Sequence, residues 1–183
     1  MKKIERYALI TAMIRKLRCN GSWCGETHVQ KATYLAQFLL GVPFAFEFVL
    51  YKHGPYSFDL SSELTAMRAD EILKLEPQPY PYRPTLSPTE TAEEIETRFA
   101  ELVGKYAPQL DFVATIFGNK GVTELECLST AYYVTRKLGN QVPLDQRAQH
   151  LHELKPHISL REALTALRAT DEMVDRSLSV PAA

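Results

Sequence analysis

Three histidines and a glutamate near the C-terminal end are the side chains of this sequence that most suggest a metal site. His150, His152 and His157 lie close to Glu153 along the chain, and histidine and carboxylate groups are common zinc ligands. On a helix, however, positions 150 and 152 point about 200° apart, so they cannot share one ion as histidines at i and i+4 do. We therefore predict no metal ligands and no cofactor.

A second candidate for chemistry is a short nuclease-like pattern in the same region. Pro143-Leu144-Asp145 is followed by Glu153-Leu154-Lys155, which matches the signature of nucleases that hold magnesium between two carboxylates beside a lysine. That chemistry needs the carboxylates on adjacent strands, whereas this segment has a helical pattern. A magnesium nuclease would show metal-dependent cleavage that is lost in Glu153→Ala.

The sequence also lacks other catalytic patterns. It contains no nucleophile elbow, no glycine-rich phosphate loop and no paired redox cysteines. Its three cysteines, Cys19, Cys24 and Cys127, form neither a CxxC pair nor an even set, and we expect free thiols. We predict no catalytic residues and a protein that is not an enzyme.

The most informative stretch is a short run of turn-forming and aromatic residues in the first third of the chain. Gly54 can adopt a positive φ, Pro55 fixes φ near −65°, and Ser57 can cap a following helix, so the run predicts a corner from a strand into a helix. Its aromatic residues suit a protein contact surface. An equally open interpretation is structural, with Tyr51 and Tyr56 packed beneath the turn and His53 at a strand edge. We predict that a partner binds this corner and the exposed side of the next helix, with the corner comprising Tyr51, Lys52, His53, Gly54, Pro55, Tyr56 and Ser57.

Composition and hydropathy predict a globular protein of the cytoplasm. The chain has 183 residues, of which 45% are hydrophobic and 23% charged, enough to bury a core. No run of about 18 apolar residues suggests a membrane span. Arg15, Lys16 and Arg18 interrupt what could otherwise be the apolar part of a signal peptide. We therefore expect no membrane association.

Hydrophobic periodicity predicts an α+β fold that is predominantly helical. Helices are expected over 2–18 and 26–40, followed by a strand over 46–52, a helix over 57–69 and two short strands around a proline-rich tip at 77–82. This order of elements along the chain is that of a winged helix. We predict a winged-helix-like region at 1–87 and a packed helical region at 88–183, and a single domain remains an open alternative.

Further helices are expected in the second half of the chain. Ser87-Pro88-Thr89-Glu90 has the pattern of a helix start, with Ser87 as the cap, and Ile95 to Tyr106 carries one apolar stripe behind it. A short helical piece is expected over 110–117. Thr123 with Glu126, and Ser159 with Glu162, each have the spacing of a capping box.

Taken together, five segments of this sequence resemble the Panacea domain family, also described as SocA-like antitoxin domains, and YwgA-like uncharacterised prokaryotic proteins. The resemblance implies a small cytoplasmic protein of prokaryotes or phages that acts by binding another protein, in toxin neutralisation, toxin delivery to proteases or phage conflict. The segments that carry it are Gln30–Gln37, Tyr51–Ser57, Asp59–Leu64, Tyr82–Thr89 and Thr123–Tyr133.

The alternative function is a DNA-binding transcriptional regulator that uses a basic first helix. Residues 1–40 contain seven Lys or Arg residues and two acids, which could contact phosphates or could be the solvated face of an amphipathic helix. The third helix, which reads DNA in a winged helix, instead carries several acids and one arginine, Arg68, so nucleic acid is the weaker prediction. A homodimer is left open, and the candidate bases are Lys2, Lys3, Arg6, Arg15, Lys16 and Arg18.

Overall fold

The computed structural model describes residues 1–79 and 84–183 and shows a mostly helical protein with two small antiparallel sheets. The predicted class, α+β and predominantly helical, is confirmed. No helix within these two ranges is both long enough and apolar enough to cross a membrane. The helices are α1 (Lys3–Cys19), α2 (Glu26–Leu40), α3 (Phe58–Ala69), α4 (Glu90–Arg98), α5 (Ala100–Phe117), α6 (Val122–Leu138), α7 (Leu144–Leu154) and α8 (Leu160–Ser177), and the strands are β1 (Val49–Tyr51), β2 (Gly54–Tyr56), β3 (Leu73–Glu76) and β4 (Thr85–Pro88).

Helix α1 is the central element of the fold. Its predicted apolar positions are buried, but so is every residue from Tyr7 to Ile14. The helix packs against α2, α4, α5 and β4, so it is surrounded over two turns instead of presenting one apolar face. The candidate bases of the DNA-binding alternative lie on either side of these two turns, at positions 2–6 and 15–18.

The predicted corner at residues 51–57 is a β-hairpin followed by a helix. Strands β1 and β2 pair antiparallel, with Tyr51 opposite Gly54 and Leu50 opposite Pro55. The chain therefore reverses at Lys52 and His53, and the expected Gly-Pro turn is wrong. Pro55 can lie in a strand because it occupies a non-hydrogen-bonded pair, in which its backbone nitrogen points away from β1 and no N–H is needed. The paired part of the first strand is also shorter than the predicted 46–52.

The predicted ribbon of two short strands is confirmed. Strand β3 pairs antiparallel with β4, from Leu73 opposite Pro88 to Glu76 opposite Thr85, and the Leu86 N–H donates to the Cys24 carbonyl before α2. Residues 80–83 lie outside the described residues. They include the end of the predicted proline-rich tip and the first two residues, one of them Arg83, of the resemblance segment 82–89. Since β1 pairs with β2 and, within the described ranges, not with this ribbon, the winged-helix arrangement stays a prediction.

Two of the predicted helix starts are confirmed by side-chain hydrogen bonds. The Ser57 hydroxyl accepts from the Leu60 N–H at 3.2 Å and begins α3. Ser159 and Glu162 form the expected capping box at the start of α8. Both signals are local, because the cap and its partner lie three residues apart.

Two other predicted helix starts are wrong. Ser87 and Pro88 belong to β4, and α4 begins after Thr89, whose hydroxyl donates to the Glu71 carbonyl at 2.6 Å. Pairing with β3 therefore overrides the capping signal. Helix α6 begins after Gly121, whose N–H donates to Glu124, so Thr123 lies within the helix and Glu126 is released for a different contact.

The apolar stripe predicted over 95–106 is divided between two helices. Phe99, with φ −112° and ψ 31°, leaves the helical region and separates α4 from α5. The short helix predicted at 110–117 is the second half of α5, which continues through Pro108. Tyr106 and Leu110 thus lie on one helix and are both buried.

Apolar side chains from both predicted regions form one large core. This cluster runs from Tyr7 in α1 to Met173 in α8 and includes residues on both sides of position 87. A smaller cluster joins α6, α7 and α8, with Leu151 and Leu167 fully buried. The boundary between 1–87 and 88–183 stays a prediction.

An ion pair between a buried guanidinium and a partly exposed carboxylate joins the last three helices. Arg147 on α7 donates twice to the Asp171 carboxylate on α8, with both nitrogen–oxygen distances 2.7 Å. The same guanidinium donates to the Thr135 hydroxyl on α6 and to the Val142 carbonyl. The hydrogen-bonded Asp171 carboxylate raises the pKa of Arg147 further, so this buried cation stays charged. Four of its five N–H groups donate hydrogen bonds.

We expect Asp171→Ala to lower the free energy of unfolding by about 2 kcal/mol, because it leaves a buried guanidinium without its carboxylate. Urea denaturation of the variant and of wild type measures this change. Asp175→Ala, one turn further along the same helix and exposed, is the matched control and should change stability little. Equal effects of the two substitutions would contradict the assigned role of Asp171.

Candidate functional site

The β1–β2 hairpin lies with its second strand against the protein and its first strand outward. Strand β2 packs on α2 and α6, and Gly54 and Pro55 are buried. Val49 and Tyr51 on β1 remain 49% and 46% exposed. The predicted partner-binding residues 51–57 are thus divided, with the backbone of the second strand inside and the side chains of the first strand outside.

Gly54 has two separate reasons to be glycine. Its φ is +86°, a region that residues with a Cβ rarely adopt. A Cβ placed there would also lie 2.9 Å from the Thr130 hydroxyl oxygen and 3.1 Å from that of Ser129. The hairpin consequently approaches α6 more closely than any larger residue would allow.

Two consecutive polar residues of α2 hold the inner strand of the hairpin. The Gln30 side-chain amide donates to the Ser57 carbonyl and accepts from the Ser57 N–H, both at 2.9 Å. The Lys31 ammonium, on a residue only 2% exposed, donates to the Pro55 carbonyl at 2.8 Å. Backbone groups that the ladder leaves unpaired are therefore satisfied by buried side chains.

A lysine at the end of α7 holds the hairpin turn in the same manner. The Lys155 ammonium donates to the carbonyls of Tyr51 and Lys52. It also lies 3.8 Å from a carboxylate oxygen of Glu126. Because Lys155 is 103 residues from the turn that it contacts, this anchor depends on the complete fold.

Glu126 of α6 is the carboxylate that compensates this concentration of positive charge. Its side chain is 9% exposed. One carboxylate oxygen lies 3.0 Å from His157 Nε2, and the other lies 3.2 Å from His53 Nδ1. Both histidine side chains are more than half exposed, so the carboxylate is buried beneath two imidazoles at the surface.

Burial weakens the proton affinity of both lysines. Removal from water lowers the pKa of Lys31 from 10.5 to about 8, with Glu126 opposing the shift and Lys155 adding to it. Burial also lowers the pKa of Lys155, and Glu126 opposes this. Burial therefore destabilises the charged form of both lysines that anchor the hairpin.

Three aromatic rings cover the outside of the same hairpin. We call Val49, Tyr51, Tyr56 and Phe58 the aromatic surface. The Tyr51, Tyr56 and Phe58 rings contact one another with centroids 5.1–5.7 Å apart, and Phe58 is 57% exposed. The Tyr56 hydroxyl donates to Glu26 at 3.2 Å, which fixes one ring against α2.

The basic residues of α1 that were candidates for nucleic-acid binding mostly contact acids of other elements. Lys2 precedes the helix and its backbone N–H donates to Glu5, and Lys3 lies over the Tyr7 ring. The remaining four form ion pairs, which are Arg6–Glu63, Arg15–Glu96, Lys16–Asp111 and Arg18–Glu76.

The three C-terminal histidines do not converge. His150 lies 3.9 Å from Glu153, His152 contacts the Ile158 carbonyl at 2.7 Å, and His157 contacts Glu126. Within residues 1–79 and 84–183, no three His, Cys, Asp or Glu residues are arranged to hold a metal ion.

The nuclease-like residues are not on adjacent strands. Asp145 and Glu153 both lie on α7, as the helical pattern predicted, and Lys155 follows its end. For the part of the chain that is described, neither His53 nor His157 hydrogen-bonds a serine, threonine or cysteine. The Glu126 cluster thus has a base-like imidazole and carboxylate without an adjacent nucleophile.

Sequence reasoning missed most of the residues that position the hairpin. Gln30 and Lys31 entered only through the family resemblance, and Lys155 only through the nuclease-like pattern. Glu126 entered through the resemblance and as part of a predicted cap. Buried polar residues carry little local signal. Within α2, Gln30 and Lys31 lie in an unbroken run of buried residues from His28 to Ala36, and no local sign in the sequence indicates that burial.

No protein-family model matches this chain, and no curated protein matches it significantly in sequence. The resemblance to the Panacea family therefore stays a prediction.

We expect the stability of wild type relative to Lys31→Met to rise as the pH increases from 8 to 10.5. In that window the unfolded chain holds a proton on Lys31 that the folded chain has released, so raising the pH favours folding. The gain should approach about 3 kcal/mol, since one pKa unit is worth about 1.4 kcal/mol. Urea denaturation of both proteins across this range tests it, and a difference that stays constant with pH would contradict it.

Proposed function

We propose that this chain is a non-enzymatic protein-binding module whose contact surface is the aromatic surface of the β1–β2 hairpin together with the exposed side of α3. The observation that carries the proposal is the combination of exposed rings above and buried polar anchors below. Large exposed aromatic residues are enriched in the energetic centres of protein interfaces.

The anchoring favours tight binding by lowering the entropy that is lost when a partner docks. A surface that is already ordered does not need to be fixed at the moment of association. Here Lys31, Lys155 and Gln30 hold the backbone on which Tyr51 and Tyr56 are mounted. Aromatic side chains have few rotatable bonds, so they add contact area with little further ordering.

The kind of partner is proposed from the resemblance to the Panacea and SocA-like family. On that basis the protein is an antitoxin-like or phage-conflict accessory factor of the cytoplasm, with a winged-helix-like N-terminal half. It would act by covering the active surface of a toxin or by presenting the bound protein to another factor. No chemistry of its own is needed for either action.

The alternative of a DNA-binding regulator has less support. Four of its six candidate bases are paired with acids of α3, α4, α5 and β3, so their charge is already compensated. Contact with phosphates would require these pairs to be exchanged.

We expect Tyr51→Ala and Phe58→Ala each to weaken partner binding by about 30-fold or more, as is typical of residues at the centre of an interface. Tagged full-length protein is used to isolate the partner from the native host at low and high salt. The partner is identified by mass spectrometry, and its affinity is then measured with purified proteins.

Leu178→Ala is the matched control for these substitutions. Leu178 is 83% exposed and lies after α8, outside the proposed surface. The proposal requires that this variant retain wild-type affinity and that all three variants melt within a few degrees of wild type. Recovery of nucleic acid alone, lost at high salt, would favour the regulator instead.

A further inference from the structure

Strand β1 has one paired edge and one open edge. Hydrogen-bonded and non-hydrogen-bonded pairs alternate along an antiparallel ladder. Leu50 lies opposite Pro55, which has no N–H, so the N–H and C=O of Leu50 point away from β2. Among the described residues, neither group has a partner in another backbone segment.

The opposite edge of the hairpin is closed. Pro55 presents no donor there, and its carbonyl accepts from Lys31. Strand β2 also lies against α2 and α6, which leaves no space for another strand on that side. Only the β1 edge can therefore be extended.

The side chains around the open edge suit an extended segment. Val49 and Tyr51 point to the exposed face of β1, where they can contact alternate side chains of a neighbouring strand. Glu47, two residues before β1, and Lys52, directly after it, are exposed. Charged residues at an edge strand commonly discourage unspecific pairing, and here they flank the open edge.

We propose that β1 accepts an extended segment of the protein partner as a third, outer strand of the hairpin. The added strand pairs with the N–H and C=O of Leu50 and places apolar side chains at alternate positions against Val49 and Tyr51. This inference rests on the proposed function and specifies the form of partner that the aromatic surface takes. Main-chain pairing then supplies orientation, and the rings supply side-chain specificity.

The test uses a display library of random eight-residue peptides selected on the full-length protein. The proposal requires that selected peptides carry apolar residues at alternate positions. It also requires that Leu50→Pro, which removes the outward N–H, bind them about tenfold or more weakly than Leu50→Ala. Both variants lose the leucine side chain, so their comparison isolates the backbone hydrogen bond. Circular dichroism establishes that both are folded.

A measurement on wild type keeps the test decisive if Leu50→Pro does not fold. Amide hydrogen exchange at Leu50 should slow by at least tenfold in the presence of a saturating selected peptide. Unchanged exchange at Leu50, equal binding to the two Leu50 variants, or failure to select any peptide would overturn strand addition.

Different outcomes of these experiments would contradict the proposed function and the strand-addition inference. Peptides or a host partner that depend on Tyr51 and Phe58 but are insensitive to Leu50→Pro would leave the aromatic surface as a binding site and exclude the third strand. Binding that is unaffected by Tyr51→Ala and Phe58→Ala would instead contradict the proposed binding surface itself.

Discussion

The burial of two lysines and one glutamate beneath the hairpin is the interaction on which the rest of this surface depends. Lys31 and Lys155 donate to hairpin carbonyls from two different helical regions, and Glu126 lies near both. Charged groups that are removed from water are tolerated only with such partners. The hairpin therefore has one position in which all of these groups are satisfied, and that position turns Tyr51 and Val49 outward.

This arrangement separates the groups that hold the hairpin in place from the side chains of the proposed binding surface. The polar anchors act on backbone groups from inside, whereas the rings of Tyr51 and Phe58 occupy the outside and contact mainly one another and Tyr56. Substitution of a ring can change the surface without disturbing an anchor. Substitution of an anchor, by contrast, should release the strand that carries the rings.

Local signals explain which parts of the fold could be predicted from the sequence. The bounds of α2 and the caps at Ser57 and Ser159 follow from residues within one or two turns of each other. The start predicted at Ser87 failed because pairing with β3 draws that residue into a strand. The turn at residues 52 and 53 was missed because pairing of Pro55 within the hairpin was not anticipated.

The site itself was predictable only in part. Residues 51–57 were identified from turn chemistry and aromatic content, but Glu126 and Lys155 come from 73 and about 100 residues away. No periodicity connects positions at such separations, and each has a more ordinary local explanation as a cap or a helix end. The same holds for the bases of α1, whose acidic partners lie 57–95 residues distant.

The most direct test of a preorganised hairpin is native-state hydrogen exchange at the Ser57 amide, which donates to Gln30. In a preorganised hairpin this amide exchanges nearly as slowly as those of Leu9 to Met13 in the core of α1, because the hairpin opens only when much of the fold opens. Exchange at Ser57 that is orders of magnitude faster, as in a frayed loop, would contradict it.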